Sequence, residues 1–174
     1  MKEDSLTVDV KVGPELRSWI IATAGTDILV PERESNLWCL VKQHLQTVPA
    51  SYRIIYDRGD YVYLRLLNSS SHTKAWNLDA GRTIKVDTLY RSYLDENGQY
   101  VVRRFLYRNF KAAFRNYMMG AVRSNPGGRE IAAITEFCLE YNIDVTKPLL
   151  ARLQKDWIRH KKKVEAGLYN PMVF

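Results

Sequence analysis

Arg104, Arg108, Lys111 and Arg115 follow one another at spacings of four, three and four residues. On a helix turning about 100° per residue, these four side chains share one face. No carboxylate lies among them, and like charges at this spacing cost a helix roughly 0.2–0.5 kcal/mol per pair. A second basic series follows: Lys147, Arg152, Lys155, Arg159, Lys161, Lys162 and Lys163. Rows of one-signed cations do one kind of chemistry well, the neutralisation of a polyanion, and nucleic-acid phosphates are the foremost example.

Other chemistry finds little support. Two cysteines, Cys39 and Cys138, each sit in an apolar stretch and read as reduced, buried thiols. The histidines His44, His72 and His160 are scattered, and the chain has no CxxC or HExxH, so no metal site is expected. His44 falls on an apolar helical face and reads as a core histidine. Asp57, Asp60, Asp79 and Asp87 are loosely clustered in a β-rich region, but their spacing does not bring carboxylates together on a nuclease metal. Arg58-Gly59-Asp60 has the letters of an adhesion motif but serves as a turn between two strands. The chain therefore reads as a non-enzyme with no cofactor.

Charge is unevenly divided. Of the 174 residues, 1–87 carry eleven Lys+Arg and eleven Asp+Glu, while 88–174 carry fifteen and eight. The whole net charge of +7 thus belongs to the second half, where a polyanionic partner is expected. Hydrophobic residues at 46% and charged residues at 26% are ordinary globular values. No apolar run is long enough to span a membrane. MKEDSLTVDV lacks the apolar centre of a signal peptide, so a cytoplasmic location is expected.

The elements that must position these residues can be taken in turn. Thr7–Val12 alternates as a half-buried strand. Gly13-Pro14 opens a helix with Leu16, Trp19, Ile20 and Thr23 inward, and Gly25 ends it. Asp27–Val30 is a short strand. Ser35 caps a second helix whose core face is Leu37, Trp38, Leu40, Val41, His44 and Leu45. VDVKVGPELRSWI resembles the opening of ribbon–helix–helix DNA-binding proteins, in which an N-terminal strand pairs across a dimer and enters the major groove. TDILVPERE, long enough for a strand, stands where that family has a short turn. Tyr52–Tyr56 and Tyr61–Leu67 read as a hairpin around Asp57–Asp60. In the second strand Val62, Leu64 and Leu66 face the core, while Tyr61, Tyr63 and Arg65 form an ordinary half-exposed face. NSSSHT at 68–73 is a surface loop, GRTIKVD another strand, and TLYRSYL a helical turn.

From Gln99 an apolar period of Val102, Phe105, Leu106, Phe110, Ala113, Phe114 and Tyr117 persists for more than five turns, which favours a helix over a hairpin strand. After Asn125-Pro126-Gly127-Gly128, Ile131, Ile134, Phe137, Cys138 and Tyr141 mark another helix. Asn142 suits the left-handed residue at its end. Thr146 caps a last helix with Leu149, Leu150, Leu153 and Trp157 inward. Residues 129–163 are thus laid out like a helix-turn-helix. The late position of RHKKK suits phosphates better than bases, and lysines there also complement the helix dipole.

The expected fold is α+β: an α+β region over 1–94 with strands, two helices and a β-hairpin, a basic helical region over 95–164, and an apolar tail over 165–174. The expected function is nucleic-acid binding by a regulatory or accessory protein, with DNA ahead of RNA. The candidate contacts are Arg104, Arg108, Lys111, Arg115, Lys147, Arg152, Lys155, Arg159, Lys161, Lys162 and Lys163. The alternative is a structural or assembly protein whose basic helices meet acidic partners. Residues 168–174 are the expected docking segment for another subunit or a protein partner.

Overall fold

A computed structural model describes residues 5–47, 60–67, 92–126 and 128–167. The first hairpin strand at 52–56, the loop at 68–73, the strand expected over 81–87 and the tail 168–174 lie outside the described residues. The fold is α+β, as expected, with strands near the N-terminus and a helical second half. The chain forms two compact units, Met1–Arg108 and Asn109–Phe174. The division falls inside one long helix.

The first unit is built on β4 (Tyr61–Leu67), which lies between β1 (Ser5–Lys11) and β2 (Ile28–Leu29). β1 runs antiparallel to β4 and β2 parallel to it. Period-two alternation does what it promised: Val8, Val10, Val62, Leu64 and Leu66 are buried on one face, and Tyr61, Tyr63 and Arg65 are half-buried on the other. The β1 strand therefore pairs within its own chain, and β2 occupies the stretch where ribbon–helix–helix proteins have a turn. That likeness ends at the order of the opening elements.

Helix α1 (Pro14–Ala24) begins after Gly13 at φ 88° and stops at Gly25 at φ 72°, a left-handed position that favours glycine. Leu16 and Ile20 are buried, while Thr23 is exposed and turns its hydroxyl back to the Trp19 carbonyl. Arg17 fastens α1 to the sheet: its Nε donates to the Tyr61 carbonyl at 3.0 Å and its Nη2 to Asp27 at 2.9 Å. Helix α2 (Asn36–Gln43) is capped by Ser35, whose hydroxyl accepts from the Trp38 N–H. It is shorter than its apolar pattern predicts. Only Val41 is fully buried on it; His44 ends it half-buried, and Leu45 belongs to the next element.

That element is β3 (Leu45–Thr47), which pairs antiparallel with β5 (Ser92–Leu94). Both differ from the sequence expectation, which ran a helix through Leu45 and a helical turn through Leu94. Three-residue strands carry too little periodicity to read, and each depends on a partner far along the chain. Directly after β5, helix α3 (Glu96–Ser124) starts three residues earlier than the pattern predicts. Asp95 supplies the reason, as its Oδ1 accepts the Gly98 N–H at 2.7 Å. One turn into α3, Gln99 lies along β1, where its Nε2 donates to the Asp9 carbonyl at 2.7 Å and its Oε1 accepts the Lys11 N–H at 3.0 Å. A side-chain amide thus satisfies backbone groups that another strand would otherwise have to meet.

In the second unit the later turns of α3 meet α4 (Glu130–Glu140) and α5 (Lys147–Glu165). Phe110, Phe114, Met118, Ile134, Phe137, Leu153 and Trp157 form its core, each almost wholly buried. Phe137 is central, with Phe110, Phe114, Tyr117 and Tyr141 at centroid distances of 4.8–5.9 Å, in tilted and edge-on contacts. Ile131, expected inward, is 50% exposed. Asn142 takes the left-handed conformation at φ 51°, and the Thr146 hydroxyl accepts the Leu149 N–H, so the expected turn forms with its expected punctuation.

Candidate nucleic-acid interface

Helix α5 turns Leu149, Leu153, Trp157 and His160 inward. On its outer side Arg152, Lys155, Arg159, Lys162 and Lys163 are all exposed. Spacings of three, four and three, with Lys163 next to Lys162, confine these five to a sector of about 100°. One carboxylate stands in the middle of α5, Asp156, at the edge of this sector.

Asp156 closes on α3. Its two oxygens take the Arg115 guanidinium side-on, Nε at 2.8 Å and Nη2 at 2.9 Å, and Lys111 Nζ lies 3.0 Å from Oδ1. Burial alone would raise the Asp156 pKa, but the hydrogen bonds from Arg115 and Lys111 outweigh it and hold the carboxyl below its ordinary range. Two cations of the first row thus have an internal counter-ion, which offsets their mutual repulsion. The same contact draws the Asp156 carboxylate towards α3 and away from Lys155, Arg159 and Lys162.

The remaining candidates divide. Arg104 and Arg108 are exposed on the part of α3 that belongs to the first unit, whereas Lys111 and Arg115 belong to the second. Lys147 is exposed at the start of α5. Lys161 leaves the outer row, since its Nζ meets Glu130 Oε1 at 3.0 Å. That hydrogen bond is the main reason why the Glu130 carboxyl titrates below its ordinary range and the Lys161 ammonium above its own. The Trp157 indole lies near enough to favour the Glu130 anion, although its N–H makes no well-formed hydrogen bond. Glu130 is in the first turn of α4 and Lys161 four turns into α5, so the helices lie side by side along α4.

Among the described residues, no group of histidine, cysteine and carboxylate side chains could hold a metal. Cys39 and Cys138 are free thiols, and burial pushes Cys138 up. Asp60 pairs with Lys11 at 3.6 Å, while Asp57, Asp79 and Asp87 lie outside the described residues. In the first unit an open cleft of about 650 Å³ is lined by Tyr61, Tyr93, Tyr100 and Arg103, among others. Asp9, Asp95 and Glu96 mix with its cations, so it presents no single sign of charge. No described helix is long and apolar enough to cross a membrane.

Comparison with protein-family models, curated proteins and solved structures found no match. Sequence reasoning overlooked Asp156, although a signal was there: it is the lone carboxylate between Asp144 and Glu165.

Proposed function

We propose that the second unit binds the phosphate backbone of nucleic acid, DNA foremost, through the outer face of α5. The observation that carries this is the exposed row of Lys155, Arg159, Lys162 and Lys163, with Arg152 beside it, while Asp156 turns to Lys111 and Arg115. Lysine and arginine on one helix face make charge contacts to phosphates without a code for bases. The role is that of a regulatory or accessory binder rather than an enzyme, and a cytoplasmic location goes with it. Arg115 and Lys111 act as positioning residues here. Lys147 adds positive charge at the start of α5, and Arg104 and Arg108 add it to the part of α3 in the first unit.

Titration of two duplexes of unrelated sequence over a range of salt concentrations tests the reading. If about five phosphates are neutralised, log affinity falls with log salt at a slope of roughly −4 to −5. Replacing Lys155, Arg159 and Lys162 with Gln keeps good helix formers in place. It should weaken both duplexes alike and flatten the slope by up to about three. Arg104→Gln with Arg108→Gln is expected to have the smaller effect. Unchanged affinity in the α5 variant would sink the proposal.

A further inference from the structure

The counterpart of the basic face of α5 lies on α4 of the same unit. Residues 130–140, EIAAITEFCLE, hold three glutamates and no cation. Glu130 is committed to Lys161, but Glu136 and Glu140 are exposed, and so is Asp144 in the turn that follows. Large apolar side chains stand near them: Leu139 is 65% exposed on the same outward side of α4, and Val145, next to Asp144, is 42% exposed. Helix α4 already buries Ile134, Phe137 and Cys138 in the core, and Ile131 borders that face, so Leu139 is the apolar side chain that α4 turns outward. A short helix in water gains nothing from such a side chain unless something covers it.

We propose that this acidic and apolar face of α4 docks the basic face of α5 from a second copy of the chain. The complementarity is specific in kind. Glu136, Glu140 and Asp144 would oppose cations from the row Lys155, Arg159 and Lys162. The exposed Ile158, which borders that row on α5, would meet Leu139. The two surfaces lie on different helices, so the contact is heterologous and copies add head to tail rather than closing as a symmetric pair. The contact uses the face of α5 assigned above to phosphate, so nucleic acid and self-association compete for it; to that extent it rests on that reading.

Sedimentation of the whole chain at low salt, without nucleic acid, tests this with two charge-reversed variants. Glu136→Lys with Glu140→Lys spoils the α4 face, and Lys155→Glu with Arg159→Glu spoils the α5 face. All four positions are exposed, and unchanged melting curves verify the fold. The wild-type mass should grow with concentration and shrink as salt is added. Each variant alone should associate at least about tenfold more weakly, because like charges then face each other. An equal mixture should regain association, with the two variants alternating, because the kept faces still pair and each reversed face meets the opposite charge on the other variant. Leu139→Ser should weaken association without any change in charge.

A monomeric wild type, or variants that associate like it, would overturn the proposal; in the latter case another surface, such as 168–174, holds the copies together. A mixture that stays monomeric would overturn it too. Excess duplex should disperse the wild-type chains, and bound duplex that leaves them intact would refute the shared face. If the α5 variant binds duplex as the wild type does, the nucleic-acid reading fails, while recovery in the mixture still upholds the head-to-tail contact.

Discussion

Asp156 shows how one carboxylate decides what its neighbours can do. Its side chain is only 13% exposed, whereas Lys111 and Arg115 keep about a third of their surface in water. Removing the acid leaves a guanidinium and an ammonium close together with their shared counter-ion gone. Partial exposure tempers the penalty, so Asp156→Asn should destabilise the protein by roughly 1–3 kcal/mol. Arg115→Gln should do nearly as much, while Arg104→Gln, on an exposed site, should stay within about 0.5 kcal/mol. Denaturant melts of the three variants measure this. Equal, negligible effects would show that the Asp156 contacts contribute nothing to folding.

Along α3 the same residue type carries opposite meanings. A Cβ added to Gly98 would come within 2.9 Å of the His44 Cβ and 3.2 Å of both Asp95 Oδ1 and Leu94 Cδ2. None of these is the loose end of a long side chain, and α3 starts here against the short β3–β5 sheet. Gly98→Ala should therefore cost about 1–3 kcal/mol, as overpacking does. At Gly120 an added Cβ meets nothing within 4 Å, and the site is exposed. Gly120→Ala should stabilise by about 0.5–1 kcal/mol through helix propensity alone. Thermal melts that moved both variants in the same direction would contradict this account of where α3 is tightly held.

Acid should weaken the whole protein in two stages. Burial lowers the His160 pKa from its ordinary 6.5, with the nearby Arg115 and Lys163 acting in the same direction and Asp156 opposing them. The unfolded chain therefore takes up that proton first. Stability is full above about pH 6.5 and declines as pH falls towards the folded-state pKa. Asp156 and Glu130 are also lowered on folding, so their contribution is present above about pH 4 and is lost below it. Melting temperature measured from pH 8 to pH 3 should fall in both windows, and His160→Leu should abolish the upper decline only. A wild-type profile flat between pH 8 and pH 5 would refute the histidine's part.

Where a signal is local or periodic, the chain declares its structure in advance. Alternation in Tyr61–Leu67, the caps at Ser35 and Thr146, the stops at Gly25 and Asn142, and the long apolar period of α3 each depend on residues within a turn or two of one another. The α+β class and the basic rows follow from these. Pairings that close over long stretches of chain have no such local mark. β3 finds β5 some 47 residues on, and Gln99 completes β1 across about ninety. Asp156 answers Lys111 and Arg115 from another helix. Sequence could place eleven cations on helices, but not say which of them already had an anion. Packing decided that, because a charge counts towards a partner only after its own neighbours have been counted.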